Sequence, residues 1–447
     1  MKFDFSFFQN IISYYLPLSL LVICGCFITV RGRFFQFSNF GLSIKFILKA
    51  ITAKHPKNCK LNSLQSACTS LAATVGTGNI AGVAGAVSIG GAGAIFWMWI
   101  SAFLSMAIKY AEITLAILVR EKKADGEYIG GPMYYIKAKL PKKFKFLGVL
   151  YALSGIPAAF CTGNITQSNS AIITVSENLT VRFIVGVIFC FLTYLVICGG
   201  ANRIGIFTEK TVPLMALIYT VLAFGVIILN HKLLPDAFKM IILGAFNPKA
   251  VTGGVIGSVM NCAISGVSKG IFSNEAGLGT SAMAHSIAYD ASPNTQGLFG
   301  IFEVFIDTVV ICTLTGLTIL CSGVNINYGN VASAELVGKA FFVNYGAFSK
   351  ILLSSMMCFF GFSSIIGWAV YGNVCLDFLF GKKGKKVFLL LYPLGCIIGA
   401  VSSIDFAWKI SEFFNGIMLT VNLPSILFLS DDFLNILRGK RNVKFKN

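Results

Sequence analysis

The chain has 447 residues, 56% of them hydrophobic and only 12% charged, with a mean hydropathy of +0.78. Too little polar surface exists to solvate a domain of that size, and long apolar runs recur throughout, so the composition excludes a soluble globular protein and indicates a polytopic membrane protein. The formal charge of +18 does not point to nucleic acid, because Lys and Arg cluster between apolar spans, as topology signals do.

Apolar runs of about 17 to 25 residues predict about eleven membrane spans, near 14–30, 62–92, 93–119, 147–174, 181–199, 205–230, 253–288, 297–321, 347–380, 386–402 and 408–430. The first begins at Leu16 and is not followed by a small-residue cleavage site, so it reads as a span and not as a removed signal. After it, FSNFGLSIKFILKAITA (37–53) sets Lys45 and Lys49 one helical turn apart among Phe40, Ile44, Phe46, Ile47, Leu48 and Ile51. That pattern suits a helix in the membrane interface and equally a short connecting helix, as does LLPDAFKMIILGAF (233–246).

The second span opens on ATVGTGNIAGVAGAVSIGGAGA (73–94), apolar but too rich in glycine for one unbroken helix. Irregular backbone survives at membrane depth only where it is buried or lines a polar cavity. A second such run, ISGVSKGIFSNEAGLGTSA (264–282), falls at the corresponding place in the other half. Paired interrupted spans of this kind point to the binding site of a secondary transporter.

Basic residues fill alternate connections. Arg31, Arg33, Lys45, Lys49, Lys54, Lys57 and Lys60 form one group, and Arg120, Lys122, Lys123, Lys137, Lys139, Lys142, Lys143 and Lys145 the next. Lys382, Lys383, Lys385 and Lys386 form a third, and the tail adds Arg438, Lys440, Arg441, Lys444 and Lys446. With eleven spans all four groups face one side, which places the N-terminus outside and the C-terminus in the cytoplasm. Setting aside the 14–30 helix leaves five spans in 62–230 and five in 253–430, followed by a cytoplasmic tail, 431–447. An odd number per half requires the second set to enter inverted, so the whole reads as a single all-α membrane domain.

At the first break Gly76, Thr77, Gly78 and Asn79 have the chemistry to receive a carboxylate: half-helix N–H groups, a positive helix end and side-chain donors. The Gly78-x-x-x-Gly82 spacing also suits plain close packing of helices. The second break crowds Ser265, Ser268, Lys269, Ser273, Asn274, Glu275, Thr280 and Ser281 into one span. Intramembrane Glu275 reads first as a brace paired with Lys269 or with backbone N–H groups, and second as a substrate contact. Glu112 and Asp307 are further intramembrane carboxylates, suited to helix pairing or to carrying a coupling proton. The 13 cysteines, among them Cys24, Cys190, Cys198, Cys312 and Cys358, lie mostly in apolar runs and read as small reduced hydrophobes.

Several segments together resemble the alanine/glycine:cation symporter family. They are VGTGNIAGVAGAVSIGGAGAIFWMWISAFLSMAIKYAEITLA (75–116), GGPMYYI (130–136), GNITQSNSA (163–171), KGIFSNEAGLGTSAMAHSIA (269–288), FEVFIDTVVICTLTGLTIL (302–320) and GWAVYGNVCLDFLFG (367–381). The order is kept along nearly the whole chain. The family usually has Pro where Ala92 stands, Arg where Lys269 stands, Ser where Thr280 stands and Glu where Asn373 stands; lysine at 269 keeps the charge but loses the planar fork, which weakens any gate it braces. The resemblance implies a leucine-transporter-like fold of two inverted five-helix repeats plus one N-terminal helix. It further implies that Gln167 contacts the bound amino acid beside Thr77, Gly78, Asn79, Ser273 and Asn274, that Phe272 closes as a lid, and that Trp368 helps wall a small side-chain pocket. Each of Gln167, Phe272 and Trp368 also has a plain packing reading. For sodium it implies carbonyls near Ala73, Thr74 and Asn79 with the Ser363 or Ser364 hydroxyl, although mid-helix serines also bond the preceding turn.

No H-E-x-x-H or G-x-x-x-x-G-K-[ST] pattern supports hydrolysis or ATP-driven pumping, so no enzyme is expected and energy must come from an ion gradient. The expectation is a monomeric symporter in the cell inner membrane. It imports alanine or glycine with sodium as the co-transported ion, and needs no cofactor and no nucleic acid. A proton-coupled carrier of the same fold is the alternative, and an ion channel a more distant one.

Overall fold

The computed structural model describes residues 11–53, 61–124, 126–330 and 332–439, all helix and loop apart from a two-residue antiparallel pairing of Glu121–Lys122 with Tyr128–Ile129. The expected basic positions Lys54, Lys57, Lys60, Lys440, Arg441, Lys444 and Lys446 lie outside these residues. In chain order the α-helices longer than four residues are α1 (Leu16–Arg31), α2 (Phe40–Thr52), α3 (Ser63–Thr74), α4 (Ala81–Gly90), α5 (Ala94–Val119), α6 (Pro132–Lys139), α7 (Phe146–Phe160) and α8 (Thr166–Ile172). They continue as α9 (Leu179–Ile197), α10 (Gly200–Leu229), α11 (Leu234–Phe246), α12 (Val259–Asn274), α13 (Thr280–Ser286), α14 (Pro293–Val304) and α15 (Thr313–Cys321). The last are α16 (Ala334–Tyr345), α17 (Phe348–Phe380), α18 (Lys382–Leu391), α19 (Leu394–Val401), α20 (Ile404–Phe428) and α21 (Ser430–Leu437).

Among the described residues nine helical spans are long and apolar enough to cross a membrane, and ten if the bent pair α3 and α4 is one span. The eleventh expected span, 253–288, is the pair α12 and α13. It falls short of that criterion because its halves are separated by a five-residue break and carry the polar residues that make the break. The first span opens in a π-helical turn at Ile11–Tyr15, and two others bulge into π-helix midway, at Cys161–Ile165 between α7 and α8 and at Phe305–Cys312 between α14 and α15. Such wide turns leave backbone groups off the regular ladder, and they recur at functional sites.

Burial sorts the helices. α9 and α10 expose Leu, Ile, Phe and Val around much of their circumference, as lipid-facing helices do, whereas α5 is buried along most of its length. Around α5 pack α12, α13 and α14, while α17 runs across α3, α7 and α8. α1 lays Leu21, Cys24 and Ile28 against α20 and α5 and turns Val22, Ile23 and Phe27 outward. Without water to drive helices together in a bilayer, close backbone approach does the work. A Cβ on Gly266 of α12 would lie 2.2 Å from the Ala94 carbonyl oxygen of α5, and one on Gly93 would lie 2.2 Å from Ala245 N of α11.

The two amphipathic segments form helices, as the periodicity predicts. α2 buries Ser43 and Ile47, with Ser43 Oγ donating to the Leu298 carbonyl at 2.6 Å, and leaves Lys45 and Lys49 exposed. The described cysteines are free.

Candidate functional site

α3 begins in a capping box, where Asn62 Oδ1 accepts from Gln65 N–H at 2.8 Å and Gln65 Oε1 from Asn62 N–H at 3.2 Å. It stops at Thr74, Gly76 runs extended, a short 3₁₀ turn covers Thr77–Asn79, and the continuation is bent by 53°. The donors freed by this break find side-chain acceptors. Gly76 N–H donates to Asn79 Oδ1 at 2.9 Å, while Thr77 N–H and Thr77 Oγ1 donate to Gln167 Oε1 at 3.2 and 2.8 Å. The amide oxygen of Gln167 therefore occupies two donors of the kind that hold a carboxylate.

α17 presses a glycine-lined face onto this break. A Cβ on Gly367 would meet Ala73 N at 2.8 Å, and one on Gly361 the Gln167 carbonyl oxygen at 3.0 Å. Between them Ser364 Oγ donates to the Ala72 carbonyl at 3.0 Å. Ser363 stands apart: its hydroxyl lies 2.9 Å from the Phe360 carbonyl and 3.4 Å from Met215 Sδ, on the side facing α10. Adjacent helical positions point about 100° apart, so only one of the two serines can face the break. Thr74 Oγ1 bonds back to the Ser70 carbonyl at 3.3 Å, leaving carbonyls as the oxygens that Ala73 and Thr74 have to offer. Gly76→Ala is expected to fold but to lower uptake about a hundredfold, because its Cβ would sit 2.4 Å from Ser364 Oγ and 3.0 Å from Gln167 Oε1. Uptake into proteoliposomes, normalised to folded protein, checks this.

The second break follows Asn274. Glu275 takes a left-handed conformation at φ 55°, and Gly277 and Gly279 take φ 87° and 77° before α13 starts at Thr280. Glu275 braces this turn, with partners other than those its sequence neighbourhood suggests. Its Oε2 accepts from Thr280 Oγ1 at 2.7 Å and its Oε1 from Trp368 Nε1 at 2.7 Å. Lys269 does not pair with Glu275. Six positions earlier on α12, it points away from the turn, lies 3.5 Å from Glu412 of α20 and sits over the Trp408 ring at 4.5 Å. Trp368 is fully buried, with Gly163 of the π-bulge packed directly against it.

Other helices clasp the same turn. Asn422 Nδ2 donates to the Gly277 carbonyl at 2.8 Å and to Glu112 Oε1 at 2.6 Å, and Asn422 Oδ1 accepts from Tyr135. Tyr151 donates to the Leu278 carbonyl at 2.5 Å. Asn274 Oδ1 caps Ala276 N–H at 3.0 Å, and its amide nitrogen donates to Thr308 Oγ1 at 3.1 Å. Glu112 thus acts on the break through Asn422.

The two breaks meet at Asn79. Its amide nitrogen lies 2.9 Å from Ser273 Oγ and 2.8 Å from Asp307 Oδ1, while Ser273 Oγ and Thr308 Oγ1 donate to Asp307 Oδ2 at 2.6 and 2.9 Å. Thr315 Oγ1 takes the Asn79 carbonyl at 2.9 Å. Over this junction Phe272 reaches across to Gly78, whose Cβ would be 3.1 Å from its ring, and lies tilted against Trp408 at 4.6 Å between centroids. Beyond these rings lies a cavity of about 250 Å³ lined by Gly82, Gly85, Lys269, Trp408, Lys409 and Glu412 among others.

The structure therefore brings together Thr77, Gly78, Asn79, Gln167, Phe272, Ser273, Asn274 and Asp307, with Trp368 joined through Glu275. Sequence reasoning passed over Lys109, Glu303, His285 and Asn422. Lys109 and Glu303 carried a usable signal as charges inside apolar runs, whereas Asn422 in an ordinary apolar helix carried none. It also passed over Gly266-Val-Ser268-Lys-Gly270, which has nucleophile-elbow spacing but lies within the continuous helix α12 and makes no strand-to-helix turn.

Comparison with known proteins fits this architecture. The family model described as the sodium:alanine symporter family matches residues 3–444. The sodium/alanine symporter AgcS of Methanococcus maripaludis is 38% identical over 421 residues, covering 92% of this chain and 91% of its own. A probable sodium/glutamine symporter, GlnT of Bacillus subtilis, is 34% identical, covering 93% of this chain and 85% of its own. Among solved structures, MhsT in complex with L-phenylalanine superposes with a TM-score of 0.56 at 13% identity, covering 86% of this chain and all of that one, which shows a leucine-transporter-like fold. By the full-length family match and the identity to its relatives, the chain belongs to the sodium:alanine symporter family of sodium-coupled amino acid symporters.

Proposed function

We propose that this protein imports a small neutral amino acid, alanine or glycine, together with sodium by alternating access. One observation carries the reading: two half-helix breaks are apposed and joined directly, Asn79 to Ser273 at 2.9 Å, with Phe272 closed over Gly78. Breaks held that close beneath the Phe272 ring suit a small ligand, with its carboxylate on the Thr77 and Gly78 donors. The name of the Methanococcus relative supports alanine, while that of the probable glutamine symporter indicates that substrates differ within the family, so we assign the side-chain limit to a local wall. Here that wall is Phe272 and Trp368.

Sodium, as cargo, takes hard oxygen ligands. The Ser364 hydroxyl, beside the Ala72 carbonyl and the end of α3, supports a site built from Ser364 with the Ala73 and Thr74 carbonyls, without Ser363. The chain works as a monomer, with 62–230 and 253–430 as inverted repeats flanked by the 14–30 helix and the 431–447 tail. It lies in the inner membrane with the N-terminus outside and the C-terminus in the cytoplasm. Proton coupling is the second reading, favoured by Asp307, which sits at the junction of the breaks on amide and hydroxyl donors with no cation partner among the described residues.

Linkage decides between them. If sodium and alanine are coupled, each raises the other's affinity by the same factor. Binding to purified protein at several sodium concentrations is expected to show this. Ser364→Ala is expected to weaken apparent sodium affinity about tenfold, with alanine binding restored at high sodium. Alanine affinity that follows pH and ignores sodium would sink the sodium reading, and ohmic current without amino acid would sink the carrier.

A further inference from the structure

At the second break, α5 brings in a lysine that the mechanism above does not use. Lys109 is fully buried, and its Nζ donates to the Asn274 carbonyl at 2.9 Å. Asn274 is the last residue of α12, so this carbonyl has lost its helical partner and is one of the spare acceptors a broken helix creates. An ammonium in a bilayer interior needs a counter-charge, and Glu303 of α14 provides it, with Oε2 at 3.5 Å.

Glu303 is itself held in place. Ser70 Oγ of α3 donates to its Oε2 at 2.8 Å, and His285 Nε2 of α13 lies 2.7 Å from its Oε1. The Gln296 side-chain nitrogen is 2.7 Å from His285 Nδ1 and 3.0 Å from the Ser63 carbonyl. Only a donor satisfies that carbonyl, so Nδ1 accepts and Nε2–H points to Glu303. The result is a buried chain from the Asn274 carbonyl through Lys109, Glu303, His285 and Gln296 to Ser63 and Ser70 on the first broken span.

We propose that Lys109 is a positioning residue for the substrate site: its ammonium, anchored by Glu303, fixes the Asn274 carbonyl and with it the shape of the second break, and withdraws that carbonyl from the acceptors left for the amino acid's own ammonium. This rests on the reading that the breaks bind an amino acid. A helix-pairing ion pair alone would instead be replaceable by a neutral pair of similar shape, because removing both charges leaves neither unpaired.

That difference is the test. Lys109→Met alone leaves Glu303 without its cation, so folded protein is expected to fall sharply. Lys109→Met with Glu303→Gln removes both charges, keeps an acceptor for His285 and is expected to restore the unfolding midpoint in detergent. Amino-acid affinity should nevertheless stay weaker than wild type by about ten- to a hundredfold, because the second break is no longer held in its binding shape, while sodium binding without amino acid changes little. Wild-type affinity in the restored double variant would overturn the proposal and leave a structural ion pair. If the double variant does not fold, Lys109→Arg keeps the charge but changes the donor geometry at Asn274. An affinity loss of about tenfold supports the positioning role, and an unchanged affinity overturns it. Wild-type protein measured alongside with alanine and glycine separates the cases: no binding there defeats the assigned substrate, whereas wild-type binding with unchanged variants defeats only the role of Lys109.

Discussion

Replacing Glu275 by alanine is expected to destabilise the folded protein by about 3 to 5 kcal/mol. The carboxylate is buried and accepts at 2.7 Å from both the Trp368 indole and the Thr280 hydroxyl. Deleting it strands both donors in a buried site, which is the costly direction of hydrogen-bond loss. Nothing is recovered from the backbone, since alanine at φ 55° is no more comfortable than glutamate. Glu275→Gln keeps an oxygen for Trp368 and is expected to lose less, and Glu275→Gly regains backbone freedom without the acceptors. Unfolding midpoints in detergent should therefore run wild type, Gln, Gly, Ala from high to low. An alanine variant as stable as wild type would show that the two bonds contribute nothing. A glutamine variant that folds but selectively refuses amino acids, while binding carboxylate-only analogues, would move Glu275 from brace to ligand.

Gly266→Ala is expected to prevent accumulation of folded protein, at about 3 kcal/mol or more. Its Cβ would lie 2.2 Å from the Ala94 carbonyl oxygen and 2.8 Å from Trp97 Cβ, so α12 and α5 must separate. The obstacle is backbone, which cannot swing aside as a side chain does. Separation would not stay local, because α12 carries Ser273 and Asn274 while α5 carries Lys109 and Glu112. Solubilised yield and the elution profile in detergent check this, with Gly82→Ala as control because its Cβ would meet nothing within 4 Å.

Where the chain breaks was legible in the sequence. Glycine with small polar residues in an apolar run forbids both a continuous helix and exposure to lipid, and Gly76, Gly277 and Gly279 do interrupt helices. What each break is tied to was less so. Glu275 has a lysine six residues away, yet its partner is the indole of Trp368, 93 positions on. A helix bearing Lys269 toward Glu412 cannot turn the same side chain to the residue after its own C-terminus. Ser363 and Ser364 were equivalent by composition, and only the rotation of α17 against α3 separates them. Charge offered a usable signal for Lys109 and Glu303, since neither can enter hydrocarbon without the other. Asn422 gave none, because a lone amide in an apolar helix looks the same whether it clasps a neighbour's turn or faces its own backbone.

The amide oxygen of Gln167 gives the donors of the first break an acceptor within the protein. Thr77 N–H and its hydroxyl have an acceptor at 3.2 and 2.8 Å, so the break strands neither donor in a dry interior. On the proposed reading, a substrate carboxylate at Thr77 would exchange with that neutral oxygen and gain only the difference between a charge-assisted hydrogen bond and an ordinary one. Affinity set by such a difference would be moderate, which suits a carrier that has to release on one side what it captured on the other.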